Sequence, residues 1–318
     1  MGIELESRAR LDDRIARVVS ASCGKVVVHV ERSLNAYASR NGSGISTCTF
    51  GTGESASVFW KIGAAKSVES LGRLGCVGYE LHAYGEIARV GGVLAPELIG
   101  GDVCDTDALL VTEYLGSICR VQKSPQPGAL ERAARRIGAF HESALRAVPD
   151  SRLDRYDAQW YAIWAQRAYR WLPQAPWLTR VADAFPSFTA ALQTGSSTLI
   201  HGEFYPDNVL VSPEGVRAVD WEWAGIGMGE VDLAALTEGW WGDPTVNACE
   251  RAYAESRGID PVDTLFRTRL AAARLYLHFR WLGGRSPGPM TDKARWRLGE
   301  VRSLGSELGL LPTRRLRN

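Results

Sequence analysis

The sequence contains no long apolar run. None of its segments approaches the roughly 18 apolar residues of a membrane-spanning helix. The first residues, MGIELESRARLDDRIARVV, mix charged with apolar side chains and lack the apolar core of a signal peptide. They predict instead an amphipathic helix with Leu11, Ile15 and Val18 on one face. These absences argue against a membrane protein, and we expect a cytoplasmic one.

The sequence also has no excess of charge of one sign, and its cysteines form no CxxC pair. The 37 basic residues are balanced by 36 acidic ones, whereas nucleic-acid-binding proteins usually show a clear basic excess. We therefore expect no nucleic-acid partner, although a local basic site for a phosphorylated ligand remains compatible with this balance. The six cysteines form no CxxC pair and have no histidine at metal-ligand spacing, so we expect reduced, mostly buried thiols.

The residues that are present form two regions of different character. The first 115 residues contain five segments typical of strands, such as KVVVHVERS, and one typical of a helix, VGYELHAYGEIARVGG. After Gly116 helical periodicity dominates, as in RTRLAAARLYLHFRWLG. A chain of 318 residues is long enough for two domains. The prediction is an α+β fold with a sheet-containing domain at residues 1–115 and a mainly helical domain at residues 116–318.

One polar loop interrupts the second region. The segment LIHGEFYPDNVLV places Glu203 and Asn208 between two apolar runs. The segments VLV, SPEG and VRAV follow, and they are typical of a tight hairpin that would return Asp220 to the side of Asn208. Carboxylate and amide oxygens are ligands that suit Mg²⁺. The spacing therefore predicts Asn208 and Asp220 as magnesium ligands, with the Glu203 carboxylate within reach of the same place.

Two charged residues lie in otherwise apolar parts of the first region. Lys61 ends the apolar strand SVFWK, and Glu80 lies in the helix that starts near Val77. An ammonium group on an apolar strand must reach water, an anion or a carboxylate. If the helix packs on the sheet, Glu80 approaches Lys61 and holds the ammonium in place for the phosphates of a nucleotide. For Lys61 taken alone, a side chain that extends to solvent from a strand edge is the alternative.

Taken together, these motifs resemble a known family. HGEFYPDN, VDWEWAG and EVDLA are similar to the loop and metal motifs of aminoglycoside phosphotransferases and choline-kinase-like enzymes. The segments AFHE and LLVTEYLG also match, and the resemblance extends from about Val26 to Leu282. It implies a protein-kinase-like fold of two lobes, with an antiparallel-sheet N-lobe and a mainly helical C-lobe. The form HGEFYPxN, together with YELHAY and HFRWLG, is similar to one subgroup of this family.

The resemblance also implies catalytic and metal-binding roles. Lys61 would contact the α- and β-phosphates of ATP, and Glu80 would position it. Asn208 and Asp220 would hold Mg²⁺. Glu203 would take the place of the catalytic carboxylate and accept the proton of the attacking hydroxyl group.

Five further residues are implied in nucleotide binding. The hinge, where backbone groups would meet adenine, runs over Glu113, Tyr114 and Leu115. In SRNGSGIS, Ser43 and Gly44 belong to a candidate loop over the phosphates, because glycine backbone and serine hydroxyl groups offer donors there. An exposed turn without a ligand is the simpler interpretation of this segment.

The sequence departs from the family pattern in two places. The family usually has aspartate where Glu203 stands, and the extra methylene moves the carboxylate by roughly 1 Å, enough to cost about 100-fold in rate if nothing compensates. In addition, no GxGxxG motif precedes Lys61. We expect His201 to support the loop by hydrogen bonding and Asp232, in EVDLA, to brace it from behind.

The functional prediction is a phosphotransferase that uses ATP and Mg²⁺ to move the γ-phosphoryl group to a hydroxyl group of a small metabolite, sugar-like or an antibiotic. A polycationic acceptor is disfavoured, because the second region shows no dense acidic run. Two alternatives stay open. One is a kinase for serine or threonine in a precursor peptide. The other is a nucleotide-binding pseudokinase that acts as a regulatory or partner subunit, suggested by Glu203 itself.

The remaining candidates each have a structural alternative. Glu222 is either a third metal or substrate group or a solvated carboxylate. His141 and His278 lie in helical apolar patterns and are expected in the core or at helix contacts. Core packing is expected, ahead of stacking on a substrate ring, for four tryptophans: Trp221, Trp223, Trp240 and Trp241. Weak candidates for acceptor recognition are Gln159, Trp160, Tyr161 and Trp164.

Overall fold

The chain divides into two compact units. The computed structural model describes residues 2–34, 41–66, 75–91, 94–116, 118–124, 126–284 and 288–311. Unit 1 comprises Met1–Glu69, Arg73–Cys119 and Arg217–Trp223. Unit 2 comprises Ser70–Gly72, Arg120–Val216 and Ala224–Asn318. None of the helices in the described part of the chain combines the length and the apolar character that crossing a membrane requires.

Unit 1 is built on an antiparallel sheet of five strands in the order β1-β2-β3-β5-β4. The five strands that the sequence predicts are thereby confirmed, as is the helix that starts near Val77. The elements of this unit, within the described residues, are α1 (Gly2–Cys23), β1 (Val27–Leu34), β2 (Gly42–Phe50), β3 (Ser55–Ala64), α2 (Val77–Val90), β4 (Leu98–Val103) and β5 (Asp107–Glu113).

The helix α1 covers one face of this sheet. Ile15 and Val19 are buried against strand residues such as Val58 and Leu109, and Leu11 and Val18 lie at the margin of the same cluster. This arrangement confirms the amphipathic helix predicted for the N-terminal segment. The Arg14 side chain adds two ion pairs, to Asp102 at 2.8 Å and to Asp107 at 2.7 Å, which tie α1 to β4 and β5.

The helix α2 lies against the end of β3, and its first turn requires a glycine there. The Cys76 thiol caps the helix by accepting the N–H of Tyr79, and Gly91 ends it in the left-handed conformation. A Cβ atom on Gly78 would lie 2.0 Å from the carbonyl oxygen of Ala65. The same first turn of α2 carries Glu80, and the close approach places this turn against the end of β3.

We therefore expect Gly78→Ala to destabilise the protein by about 2 kcal/mol, because backbone atoms must shift to relieve the contact. Gly85→Ala on the same helix is the matched control, since its Cβ atom would meet nothing within 4 Å. That change is expected to be neutral or stabilising by up to about 1 kcal/mol, the difference in helix propensity between alanine and glycine. Urea denaturation of both variants measures the contrast, and equal stabilities would contradict the close packing.

Unit 2 is mainly helical. The helix α8 packs against α4 and α6, while α3 packs against α7. The described elements of this region of the chain are β6 (Cys119–Arg120), α3 (Ala129–Ala144), α4 (Ala158–Trp171), α5 (Trp177–Thr189), β7 (Thr198–Ile200), β8 (Val209–Ser212), β9 (Gly215–Ala218), β10 (Gly225–Gly227), α6 (Glu230–Leu236), α7 (Asp243–Ser256), α8 (Thr264–Gly283) and α9 (Asp292–Glu307).

Short strands flank the polar loop of unit 2. The strand β7 pairs with β10, and β6, β8 and β9 lie side by side in that order. The strands β8 and β9 are the hairpin predicted after Asn208. Aromatic contacts fill the core beneath: Tyr161 meets Tyr276, and Phe185 meets Phe279, with ring centroids 4.9 Å apart in both pairs.

The observed division of the chain differs from the predicted boundary at residue 115. The segment Arg217–Trp223 groups with unit 1, although the sequence places it inside the second domain. Two backbone contacts explain this placement: the N–H of Ala218 donates to the Leu94 carbonyl oxygen at 2.7 Å, and the N–H of Trp221 donates to Glu80. Asp220 therefore lies in the unit that carries Lys61.

The cysteines and tryptophans follow the predictions in part. All six cysteines are free, as expected, but Cys23 and Cys104 are exposed, so that the thiols are not mostly buried. Trp221 and Trp223 are buried, as predicted, whereas Trp240 is 90% exposed and the expectation of core packing is wrong for it. Trp240 follows the end of α6, and its ring lies beside that of Trp296 of α9, with ring centroids 6.0 Å apart, a contact that leaves most of the indole open to solvent.

Candidate functional site

In unit 1, a buried lysine meets three carboxylates. The Lys61 ammonium nitrogen lies 2.7 Å from Glu80, 2.6 Å from Asp220 and 3.5 Å from Glu222. Lys61 and Glu80 are buried, while the side chains of Asp220 and Glu222 are 38% and 21% exposed. The acidic cluster thus has a buried side at Glu80 and a side open to solvent at Asp220. The alternative of a solvent-directed Lys61 is wrong.

Glu80 is held from two directions. One carboxylate oxygen accepts from Lys61, and the other accepts from the backbone N–H of Trp221 at 3.1 Å. Burial raises the pKa of Glu80, and the Lys61 charge opposes this rise. With both oxygens engaged by donors, Glu80 serves as a fixed anchor for the ammonium group and, through Trp221, for the segment that carries Asp220.

The backbone at Asp220 is strained. Its φ of +70° is the one positive value at a non-glycine residue in the described part of the chain, and such residues often occur at functional sites because the surrounding structure must hold them. The Trp221 indole beside it is fully buried and donates to the Ala218 carbonyl oxygen at 2.8 Å. This anchoring fixes the turn and directs the Asp220 carboxylate at Lys61.

The cluster contains more acidic than basic groups, with three carboxylates around one ammonium group. Burial opposes the charged form of Lys61, but the carboxylates of Glu80, Asp220 and Glu222 outweigh burial and hold its pKa above the ordinary value. Oxygens of the three carboxylates also lie within 4.8 Å of one another. Three acidic groups around one ammonium group leave an excess of negative charge, and hard oxygen donors in this number are a ligand set that suits a divalent cation.

In unit 2, the polar loop is organised by a buried aspartate. Asp232, near the start of α6, accepts the backbone N–H of His201 at 2.7 Å and that of Gly202 at 2.8 Å. His141 of α3 contacts the same carboxylate at 3.0 Å and the Tyr253 hydroxyl at 3.0 Å. Burial lowers the pKa of His141, which favours the neutral ring. The predicted bracing of the loop by Asp232 is confirmed.

The same loop presents Glu203. His201 is fully buried, and its Nδ1 accepts the backbone N–H of Glu203 at 3.2 Å, which is the supporting role predicted for it. The Glu203 side chain is 25% exposed and forms an ion pair with Arg280 of α8. Arg280 also donates to the Gly202 carbonyl oxygen at 2.7 Å. The loop therefore holds a carboxylate at the surface against a buried guanidinium group.

Asn208 closes the loop. Its side-chain amide donates to the Glu203 carbonyl oxygen at 3.0 Å, and its backbone N–H donates to the Tyr205 carbonyl oxygen at 2.8 Å. Because the amide nitrogen is the donor, the orientation of the side chain is fixed with its oxygen on the opposite side. That oxygen is the atom with which an asparagine binds a hard cation.

This combination of a lysine–carboxylate cluster and a braced loop has a counterpart among known families. Residues 76–276 match the model of the phosphotransferase enzyme family. The chain belongs to this family. It is accordingly an enzyme, a phosphotransferase of the kinase type, and the predicted resemblance to aminoglycoside phosphotransferases is confirmed at this level. No curated protein sequence matches the chain.

Solved structures of kinases resemble the phosphotransferase at low sequence identity. One is a putative fructosamine-3-kinase from Haemophilus somnus 129PT, with 13% identity, a TM-score of 0.57, and coverage of 93% of this chain and 97% of that one. Another is a spectinomycin phosphotransferase in complex with ADP and spectinomycin, with 12% identity, a TM-score of 0.58, and coverage of 94% and 99%. A choline/ethanolamine kinase family protein from Mesorhizobium loti has 19% identity, a TM-score of 0.59, and coverage of 90% and 89%. These likenesses confirm the predicted protein-kinase-like α+β fold.

The structure brings together part of the predicted site. Lys61, Glu80 and Asp220 meet in unit 1, and Glu222 joins them. Glu203 and Asn208 share the loop of unit 2. The roles of these residues in catalysis and metal binding stay predictions, and so does membership of the HGEFYPxN subgroup.

Of the predicted nucleotide-binding residues, Ser43, Gly44 and Glu113 lie in strands, whereas Tyr114 and Leu115 follow the end of β5. Glu113 ends β5, and its carboxylate accepts the backbone N–H of Glu97 at 3.0 Å, while Tyr114, directly before Leu115, is 40% exposed. Ser43 and Gly44 belong to β2 and pair with Lys61 and Trp60 of β3, so they are not in a loop. The correction has a simple reason: hydrogen bonding to β3 continues to Gly42. Ser39 and Arg40 of the predicted loop lie outside the described residues.

Two features of the site were not predicted. The sequence pattern includes Arg280 only as part of HFRWLG, and it does not indicate the contact between His141 and Asp232. An arginine inside the apolar helical segment LYLHFRWLG is the same signal that singled out Lys61 on an apolar strand. Of the weak acceptor candidates, Tyr161 and Trp164 are buried in the core, as His278 is.

Proposed function

We propose that this enzyme transfers the γ-phosphoryl group of ATP, with Mg²⁺, to a hydroxyl group of a small hydroxylated metabolite such as a sugar or an antibiotic. The observation that carries the proposal is the Lys61 ammonium group, buried and fixed by Glu80 and Asp220 at 2.7 and 2.6 Å. A lysine held in this way is suited to bind the phosphates of a nucleotide. With ATP as donor, the proposal includes a cytoplasmic location.

The donor set of unit 1 fits a magnesium ion. Asp220, with Glu222 beside it, would hold the cation through carboxylate oxygens, and Asn208 stays a proposed ligand through its amide oxygen. The bound cation would neutralise charge on the phosphates. Lys61 contributes a positive charge on a side chain that its carboxylate partners keep protonated. Ser43, Gly44 and the hinge Glu113 to Leu115 are proposed nucleotide contacts.

Glu203 is proposed as the catalytic base. The hydroxyl oxygen of the acceptor forms a bond to the γ-phosphorus while the bond from that phosphorus to the β–γ bridging oxygen breaks and ADP leaves. The hydroxyl proton passes to the Glu203 carboxylate. This chemistry needs an exposed, ionised carboxylate on a rigid loop, and Glu203 is 25% exposed on a loop braced by Asp232.

The charges of unit 2 favour a neutral or weakly charged acceptor. Two carboxylates that lie around Tyr205, those of Glu203 and Glu238, already have arginine partners. Arg297 binds Glu238 through two hydrogen bonds of 2.6 Å. A polycationic acceptor would have to compete with these guanidinium groups. We therefore favour a sugar-like acceptor over a polyamine.

The discriminating experiment is phosphoryl transfer from labelled ATP by the full chain with Mg²⁺. One panel contains sugars and hydroxylated antibiotics, and a second contains serine and threonine peptides. Transfer to the first panel is expected. Transfer to peptides alone would favour the peptide kinase. Magnesium-dependent ATP binding without turnover in either panel, unchanged in Glu203→Gln, would favour the pseudokinase and overturn the proposal.

Replacing Glu203 by glutamine is expected to lower kcat by about 10²- to 10³-fold, because the amide cannot accept the hydroxyl proton. ATP binding, measured by calorimetry, should change less than about threefold, since the nucleotide anchors lie in unit 1. Glu214→Gln, an exposed glutamate in the β8–β9 turn, is the matched control and should keep wild-type kcat. A Glu203→Gln variant with wild-type kcat would remove the proposed base.

A further inference from the structure

Arg280 is a charged residue in a place that normally excludes charge. It lies in the last turn of α8, between the apolar residues Phe279 and Trp281, and is only 6% exposed. Such a guanidinium group must be paired and hydrogen-bonded to be tolerated. Two of its partners, Gly202 and Glu203, lie in the loop of unit 2 that presents the Glu203 carboxylate.

The contacts of Arg280 define the position of the Glu203 carboxylate. Nη1 donates to the Gly202 carbonyl oxygen at 2.7 Å, and Nη2 donates to Oε1 of Glu203. The planar guanidinium group thus binds both the backbone of Gly202, the residue before Glu203, and the Glu203 carboxylate. This pairing fixes the Glu203 carboxylate relative to the main chain of its own loop, a geometry that the two adjacent nitrogens of arginine permit and a lysine does not.

The surroundings of Arg280 leave Glu203 as its charged partner. Besides Glu203, the titratable groups that act most strongly on the Arg280 charge are three tyrosines: Tyr156, Tyr205 and Tyr276. Burial raises the pKa of Tyr205 and Tyr276, so these hydroxyl groups stay neutral through the physiological range. Glu238 and Arg297 also act on Tyr205, but they bind each other. Glu203 is therefore the carboxylate that pairs with the Arg280 guanidinium group among these neighbours.

We propose that Arg280 is the positioning residue for the catalytic carboxylate, and that it compensates for the extra methylene of Glu203. The inference rests on the proposed function of Glu203 as base. In this arrangement the longer side chain is matched to a guanidinium group anchored on α8. An aspartate at position 203 would withdraw its carboxylate by roughly 1 Å from that group and from its catalytic position.

The first test compares Arg280→Gln and Arg280→Lys with wild type. Arg280→Gln is expected to lower kcat by about 100-fold, and Arg280→Lys to recover about tenfold of that loss, because it keeps the charge but not the paired donors. The acidic limb of the kcat profile should move to higher pH by about one unit in Arg280→Gln, since a positive charge beside Glu203 is lost. A purely structural role would leave that limb in place.

The second test is the coupling between the two residues. In a Glu203→Gln background, Arg280→Gln should lower kcat by less than about twofold, because groups that act as a unit are not additive. Glu203→Asp, which restores the residue usual in the family, should lower kcat by at least about tenfold. The inference would be overturned if the fold-losses in kcat of the two single variants multiplied in the double variant, or if Glu203→Asp kept wild-type kcat.

The control and an activity-independent readout separate this inference from the proposed function. Arg274→Gln makes the same change on the same helix, where Arg274 pairs with Glu250 at 2.7 Å, and should keep wild-type kcat. Carbon-13 NMR of glutamate-labelled protein follows the Glu203 carboxylate, identified by its absence in Glu203→Gln. The midpoint of the Glu203 titration should move to higher pH in Arg280→Gln. This measurement needs only folded protein at room temperature, so it can be made even if the variant is too unstable for kinetic assays. An unchanged titration refutes the inference, whereas absent transfer by wild type refutes the proposed function.

Discussion

Lys61→Met is expected to abolish phosphoryl transfer and to lower the free energy of unfolding by about 3 kcal/mol. The catalytic loss follows from removal of the positive charge proposed to bind the nucleotide phosphates. The loss of stability follows from Glu80, which is buried and would keep a carboxylate without its ammonium partner. Asp220 and Glu222 contribute less to this cost, because their side chains are 38% and 21% exposed and water can solvate them.

The stability of Lys61→Met should also depend on pH in a defined direction. Burial already raises the pKa of Glu80 above its ordinary value of 4.5, and Lys61 is the group that opposes the rise. In the variant the folded state therefore binds a proton that the unfolded state has released above about pH 4.5. The stability of the variant therefore falls as the pH rises from the unfolded pKa of Glu80 towards its raised pKa in the folded state. The deficit relative to wild type should be smallest near about pH 5 and largest near about pH 8.

Urea denaturation at several pH values measures this dependence, and an assay with labelled ATP measures transfer. Lys66→Met is the matched control: Lys66 is exposed shortly after β3, and its replacement should change neither stability nor kcat. A Lys61→Met variant as stable as wild type at about pH 8 would show that Glu80 does not depend on the ammonium group. Retained transfer would remove Lys61 from the nucleotide site.

The elements of the fold could be predicted because they depend on local patterns. Alternating apolar residues gave the five strands of unit 1, and helical spacing gave α2 and α8 with bounds close to those observed. The burial of Lys61 with Glu80 was predicted for the same reason, since each is a charge in an apolar element. These inferences need no knowledge of distant parts of the chain.

The features that were missed depend on contacts between residues far apart in the sequence. The assignment of Arg217–Trp223 to unit 1 depends on hydrogen bonds to Leu94 and Glu80, more than a hundred positions earlier. Ser43 and Gly44 look like a loop because glycine and serine are poor strand formers, but pairing with β3 overrides that preference. Arg280 carries a local signal, yet its partner Glu203 could be identified only once α8 and the loop were placed.

Asp232→Asn is expected to cause the largest loss of stability, about 3–5 kcal/mol, because the pair that Asp232 forms with His141 is fully buried. The aspartate accepts three hydrogen bonds, from the N–H groups of His201 and Gly202 and from His141. An asparagine has one acceptor oxygen, and its amide group would face donors. At least one buried N–H of the loop would then lack a partner, at a cost of about 1–3 kcal/mol for each such group.

The expected effect extends from stability to the loop itself. Without the carboxylate, the amides of His201 and Gly202 should exchange with deuterium faster in Asp232→Asn, while amides of the unit 1 sheet keep wild-type protection. The rate of transfer should fall as well, because Glu203 follows directly in the sequence and shares the bracing. Asp183→Asn on α5 is the control, since Asp183 is exposed and its replacement should be neutral. If Asp232→Asn were as stable as this control, the loop would have to be held by Arg280 and Asn208 alone, and the assignment of Asp232 as the brace would be wrong.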